Sequence, residues 1–260
     1  MLERTEFEDS KTMETPVALE TKLTKVVDEE IVKLIEYRSI VGSLINLSTR
    51  TRPDLAFAVG ELARYCDAPG SEHWVALKII LRYLKNTKNL GLCYRKSNKG
   101  ELVGFSDSDW AGDHDDRKST SGYIFLYNEG PISWKSQKQR SVALSTVKAE
   151  YMALSAASQE CIWIRNLLCN IERSCDSPTV IFEDNQSTIS LTKNPQYHGR
   201  AKHIDIRYHF TRELVEANKI TLVYCQSEDM VADMLTKGLS KVKFVKLLNL
   251  VGIINLNDLH

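Results

Sequence analysis

Residues 102–110 read LVGFSDSDW, an apolar run that ends in two aspartates set one residue apart. In an extended chain successive side chains point to opposite faces. Val103, Phe105, Asp107 and Asp109 therefore share one face, and Gly104, Ser106 and Ser108 the other. A carboxylate that continues the apolar side of a strand is costly to bury unless it is paired or metal-bound. One reading makes Asp107 a functional acid. The competing reading ends the strand at Ser106 and starts a turn with the aspartates.

Downstream, the alternation continues in SGYIFLYN (121–128) and GPISWKSQ (130–137), with turn-prone DDRKSTSG and NEG between runs. A helix is expected from about Leu144 to Cys169, broken near Ser158. TVIFEDNQ (179–186) reads as a strand running into a helix start, 201–217 as a helix and ITLVYCQ (220–226) as a last strand. VADMLTK (231–237) and VKFVKLLNLV (242–251) are expected as terminal helices. The order βββα(α)βααβαα describes an α/β unit, a hairpin-built half followed by crossovers that make parallel pairs.

Upstream, the period is helical. Residues 1–30 are polar and expected as an extended lead-in, and 31–93 as a helical segment. Its first helix carries Ile40, Val41, Leu44, Ile45 and Leu47 at helical spacing, and Pro53 sits where a first turn tolerates it. Ser71 is expected to cap a third helix with the stripe Trp74, Leu77, Ile80, Leu81 and Leu84. Asn, Lys, Ser and Gly between residues 86 and 100 mark a boundary, placed so that the second domain covers 94–260.

Across 260 residues, 34 basic and 34 acidic side chains give a formal net charge of zero. That balance neither requires nor excludes a nucleic-acid partner, because binding depends on local patches. The six cysteines show no C-x-x-C spacing, so reduced thiols are expected rather than a zinc site. MLERTEFEDSKTMETP lacks the apolar core of a signal peptide, and no apolar run is long enough for a bilayer. An intracellular, non-secreted protein with no membrane partner is expected.

Three further acids stand beside Asp107. Glu150 lies in STVKAEYMALSAAS, a helix suited to packing on a sheet, where a lone glutamate is ordinarily solvated. Asp184 shares a strand face with Val180 and Phe182, although Asp also caps helices and QSTISL follows. Asp233 sits near a helix start, where the macrodipole favours an acid in any case. Each alone has a structural explanation. Converging at one sheet edge, all four would repel one another without cations. Oxygen-only donors suit Mg²⁺ or Mn²⁺, and two such ions suit in-line phosphodiester displacement.

FSDSDWAGD, RKSTSGYIF, SWKSQKQRSVALSTVKAEYMALS, EDNQSTISL, KHIDIRYHF and VADMLTKGL, in this order over residues 101–240, resemble the ribonuclease H domain of copia-type LTR retrotransposon Pol polyproteins. The resemblance implies a ribonuclease H-like five-stranded mixed sheet flanked by helices and preceded by a small helical segment. It implies a catalytic, metal-binding set of Asp107, Glu150, Asp184 and Asp233, with Asp107 rather than Asp109 first. It further implies two Mg²⁺ or Mn²⁺ ions, an RNA/DNA hybrid as substrate during reverse transcription, and the cytoplasm (in a virus-like particle) or nucleus as location. YRSIVGSLINLSTRTRPDLAFAVGELARY and EHWVALKIILRYLKNT are similar to the helical tail of the family's reverse transcriptase. The polymerase's Tyr-x-Asp-Asp type segment is missing, so no polymerase site is expected here and the polymerase part of a longer Pol polyprotein is the expected partner.

Two departures stand out. Lys148 occupies a segment where small or acidic residues are usual, and a neighbour two residues from Glu150 points off to the side. The loop CQSEDMV holds no histidine of the kind that assists product release in some cellular relatives, and that role is not given to His203 or His209. Lys135, Lys138, Arg140, Lys202 and Arg207 are expected to meet phosphates, with Trp134 and Tyr197 offering apolar contact. A hybrid is read through shape and 2′-hydroxyls rather than base sequence. The competing functional reading is a catalytically silent nucleic-acid-binding or scaffold remnant. A DDE strand transferase is opposed by the acid order, which there ends in glutamate.

Overall fold

The computed structural model describes residues 11–19, 22–25, 33–96, 100–171, 177–193 and 202–258. Helix α1 (Leu34–Arg50) leads through a 3-10 turn (Pro53–Leu55) to α2 (Ala56–Ala63), α3 (Ser71–Asn86) and a short strand β1 (Leu90–Leu92). Strands β2 (Leu102–Asp109), β3 (Thr120–Tyr127) and β4 (Gly130–Lys138) follow, then α4 (Thr146–Asn170), β5 (Thr179–Glu183) and α5 (Gln186–Lys193). The chain continues through α6 (Lys202–Glu216), β6 (Ile220–Tyr224), two consecutive 3-10 turns (Ser227–Asp229 and, second, Val231–Leu235), α7 (Lys241–Leu250) and β7 (Ile253–Asn255).

Five strands form one mixed sheet in the order β4-β3-β2-β5-β6. β2, β3 and β4 pair antiparallel, β2 and β3 joined by residues 110–119 and β3 and β4 by a two-residue turn, whereas β2–β5 and β5–β6 are parallel and need helical crossovers. Alternation divides the core. Ile124 and Leu126 face a cluster with Leu44, Leu55, Leu77, Leu235, Phe244 and Leu247. Phe125 faces the opposite way, against Leu154, Ala157, Cys161 and Ile181.

β2 runs on to Asp109, paired with Thr120, which decides for the strand reading over a turn after Ser106. Three local expectations are corrected. α4 is unbroken, because the Ser158 hydroxyl donates to Leu154 O at 2.8 Å and satisfies itself within the helix. Ser71 is the first helical residue of α3, and the capping position belongs to Gly70, whose N–H donates to His73 Nδ1 at 2.9 Å. VADMLTK forms a 3-10 turn rather than an α-helix. A two-stranded sheet of β1 and β7, unanticipated in the sequence, joins residues 90–92 to 253–255.

The cluster built on α1–α3 continues into the strands and α7, so one apolar core crosses residue 93. Polar ties reinforce it. Arg52 pairs with buried Asp54 at 2.7 Å, which also accepts from Tyr83 Oη at 2.7 Å. Trp134 Nε1 donates to Ser48 O at 2.7 Å, and Arg64 reaches Asp113 at 3.1 Å. Among the described residues no helix is long and apolar enough to cross a membrane and no disulfide is present; Cys175 lies outside them.

Candidate metal centre

Each of the four acids is held by its own local device. Asp107 lies on β2 opposite Gly122 of β3, is 1% exposed, and accepts a hydrogen bond from the Thr236 hydroxyl. Asp233, on the second 3-10 turn, is likewise 1% exposed. Asp184 directly follows β5. Asn185 rather than Asp184 caps α5, its Oδ1 accepting from Thr188 N at 3.1 Å, which leaves the Asp184 carboxylate to accept from Ser227 Oγ at 2.8 Å. Glu150 sits one turn into α4, whose start is fixed by Ser145 accepting from Lys148 N and by Gln139 Nε2 donating to Ala149 O at 2.9 Å. Lys148 forms no ion pair with Glu150 among the described residues.

These devices gather the acids into two sets that share Asp184. One oxygen each from Asp107, Asp184 and Asp233 lie within 4.8 Å of one another, and so do oxygens of Glu150, Glu183 and Asp184. The sheet separates the sets by face: Asp107 continues the side of Val103 and Phe105, whereas Glu183 continues the side of Ile181, toward α4. Among the described residues, lysines form ion pairs with the first set and none with Glu150 or Glu183. Lys237 Nζ lies 2.8 Å from Asp233 and 3.5 Å from Asp107, and Lys243 Nζ lies 2.5 Å from Asp233.

Burial raises the Asp107 carboxyl to about 7 despite the pull of Lys237. Burial, then the charges of Asp107 and Glu183, push Glu150 up to about 11. Glu183 is also raised well above the carboxylate range by burial, which the Ser106 hydroxyl only partly offsets. Burial lowers Lys237, but Asp107 and Asp233 outweigh it and hold the ammonium above its usual range.

Sequence reasoning named Asp107, Glu150, Asp184 and Asp233 but missed Glu183, Gly122, Thr236, Lys237 and Lys243. The signal for Glu183 was available: it breaks the apolar series of its own strand face, as Asp107 does. Lys243 carried no comparable signal, because its meeting with Asp233 depends on how α7 folds back, whereas Lys237 reaches Asp233 from four residues away.

The basic residues divide. Lys135, Lys138, Arg140 and Arg207 line a groove of about 490 Å³ together with Glu160 and exposed Trp163. Within it, Lys138 is engaged by Asp113 at 2.5 Å and Asp116 at 2.8 Å. Trp134 is not among the residues lining this groove; partly buried, it packs against the helical segment and donates to Ser48 O. The side chain of Lys202, and Tyr197, lie outside the described residues.

No protein-family model matches the chain. The retrovirus-related Pol polyprotein from transposon TNT 1-94 of Nicotiana tabacum is 42% identical over 258 residues, 97% of this chain. This chain belongs to the copia-type retrotransposon Pol family. It spans 19% of the length of that Pol polyprotein. A secreted RxLR effector, protein 161 of Plasmopara viticola, is 52% identical over 132 residues, covering 51% of this chain and 93% of the effector. Among solved structures, a foamy viral protease-reverse transcriptase in complex with RNA/DNA hybrid is similar at a TM-score of 0.45 and 17% identity, over 75% of this chain and 25% of that one. The ribonuclease H-like α/β fold of this Pol-family chain is read from its own sheet, five mixed strands flanked by helices.

Proposed function

We propose that this Pol-family chain carries a ribonuclease H that cuts the RNA strand of RNA/DNA hybrids during reverse transcription, leaving a 3′-hydroxyl and a 5′-phosphate. Residues 94–260 are the catalytic domain, and 31–93 a helical support derived from the reverse transcriptase. The observation that carries this reading is the meeting of buried carboxylates from β2, β5, α4 and a 3-10 turn within two overlapping 4.8 Å sets.

The donor set fits hard divalent cations: every ligand atom is a carboxylate oxygen, and Glu150 Oε2 and Glu183 Oε1 are buried without a hydrogen-bond partner of normal geometry among the described residues. Asp107, Glu150, Asp184 and Asp233 are the residues that would hold two Mg²⁺ or Mn²⁺ ions. When bound, such ions supply an activated water and charge for the leaving oxygen. Thr236 and Ser227 orient the Asp107 and Asp184 carboxylates, and Lys237 and Lys243 form ion pairs with Asp233. Lys135, Arg140 and Arg207 are placed to meet phosphates of the hybrid, with Lys138 and Lys202 as further candidates. The polymerase part of a longer Pol polyprotein is the natural partner, in a cytoplasmic virus-like particle or the nucleus.

A fluorescent RNA/DNA hybrid incubated with Mg²⁺ and the wild-type, Asp107→Asn or Asp184→Asn chain tests the proposal. Cleavage by the wild type that falls at least a hundredfold in both variants is expected. Equal cleavage by all three sinks the site assignment, and no cleavage by any supports the silent remnant.

A further inference from the structure

We propose that Glu183 is a fifth carboxylate of the metal centre, holding one divalent cation together with Glu150 and Asp184; the inference rests on the metal-dependent reading above. On the α4 side of β5, strand alternation sets Glu183 after Ile181, which lies in the core with Leu154 and Ala157. An apolar residue is what that face asks for. Glu183 is instead 0% exposed, and a buried carboxylate persists only where something compensates its charge.

The compensation within the protein is incomplete. Glu183 Oε2 accepts from Ser106 Oγ at 2.7 Å, a bond that occupies one oxygen. Oε1 has no partner of normal geometry among the described residues; the Asn185 amide eases the charge without forming such a bond. Glu150, reaching the same place from α4, also has an oxygen, Oε2, without a partner among the described residues. Two elements thus each bring a buried carboxylate with one unsatisfied oxygen beside Asp184.

The spacing suits a cation. Oxygens about 2.1 Å from an octahedral ion lie up to about 4.2 Å apart. Only one pair among three ligand oxygens can be trans, and cis pairs lie about 3.0 Å apart. The oxygens of Glu150, Glu183 and Asp184, which lie within 4.8 Å of one another, therefore close around an ion by side-chain adjustments on the order of 1 Å. The opposite set already has Lys237 and Lys243 as counter-charges, whereas no lysine or arginine forms an ion pair with Glu150 or Glu183 among the described residues. A purely structural role, accepting from Ser106, predicts something different: a glutamine would serve it equally well.

Mn²⁺ titration of the full chain by calorimetry, with free Mn²⁺ followed by electron paramagnetic resonance, separates these roles. The variants are Glu183→Gln, which keeps the acceptor for Ser106, and Glu183→Met, of similar volume and without a hard ligand atom. Both are expected to lose about tenfold or more in Mn²⁺ affinity. The EDTA-treated Glu183→Gln variant should melt no lower than the wild type, because it keeps the acceptor for Ser106 and removes a carboxyl that is costly to bury. Unchanged Mn²⁺ affinity in whichever variant folds overturns the role of Glu183. A wild-type chain that binds no Mn²⁺ overturns the metal-centre reading itself, so the two failures are distinct.

Discussion

Gly122 lies directly opposite Asp107 in the β2–β3 pair, and its missing side chain admits the turn that carries Asp233. A Cβ at position 122 would stand 2.8 Å from both Leu235 Cβ and Thr236 Cγ2 and 3.2 Å from Ala232 O. Those neighbours include backbone and cannot swing away. Gly122→Ala is therefore expected to push the turn off the sheet, separating Asp233 and the Thr236 hydroxyl from Asp107. Overpacking of this kind costs about 1–3 kcal/mol. Urea unfolding should register that loss, and hybrid cleavage should fall more steeply than stability. A variant with wild-type unfolding would show that the turn tolerates displacement.

Lys243 reaches back from α7 to the nearly inaccessible Asp233, so the C-terminal helix supplies one of the two ammonium groups at the centre. Lys243→Met leaves Asp233 to Lys237 alone. The metal-free chain is expected to lose about 1.5–3 kcal/mol, the worth of one hydrogen bond to a charged group. Mn²⁺ should then raise the melting temperature more than it does in the wild type, because a competing cation is gone. An Mn²⁺-induced shift equal to that of the wild type would remove Lys243 from the electrostatics of the centre.

Much of this was legible in the residues. Strand alternation placed Asp107 on the Val103–Phe105 face, and the change from helical to alternating period after residue 100 marked where the sheet begins. The pattern singled out Asp107 and Asp184 at the ends of strands but left every acid with a structural explanation. It was the resemblance to the copia-type ribonuclease H domain that joined the four into one set. What escaped depends on distance in the chain: β1 pairs with β7 across more than 150 residues, and Lys243 meets Asp233 only after α7 has folded back. Local propensity carries no record of such meetings. The 3-10 form of VADMLTK escaped for a related reason, since tight approach to Gly122, rather than helix propensity, fixes that turn.

Asp113 organises the DDRKSTSG turn and binds it to α2. Its Oδ1 accepts from the amides of Asp115 and Asp116 at 3.0 and 3.1 Å, while Oδ2 takes Arg64 and Lys138. Asp113→Ala removes all four partners at once and leaves Arg64 with only Glu61 and Thr120. A loss of roughly 2 kcal/mol is expected, below the figure for a fully buried pair because Lys138 partly reaches solvent. Hydrogen exchange should show faster opening of both α2 and the turn. Faster exchange in the turn alone would mean that Asp113 does not couple the helical segment to the sheet.

The raised carboxyls give the metal-free chain a distinctive pH dependence. Asp107 titrates near 7 in the folded protein against 3.8 as its ordinary value, and Glu150 near 11 against 4.5. Between those limits the native state binds more protons than the unfolded chain, so stability falls as pH rises. The decline runs from about pH 4, steepest up to the Asp107 value near 7, with Glu150 extending it further. Against slight burial, Lys138 and Lys118 hold Asp116 low, and its opposite contribution is spent below about pH 4. Lys237, held above its usual range, stays charged throughout. A divalent cation displaces the acid protons, so its stabilising effect should grow with pH. Urea midpoints in EDTA at pH 5, 6, 7 and 8 are therefore expected to decrease, while midpoints with Mn²⁺ diverge upward from them. Midpoints in EDTA that rise over this range would mean that Asp107 and Glu150 are already ionised in the metal-free fold.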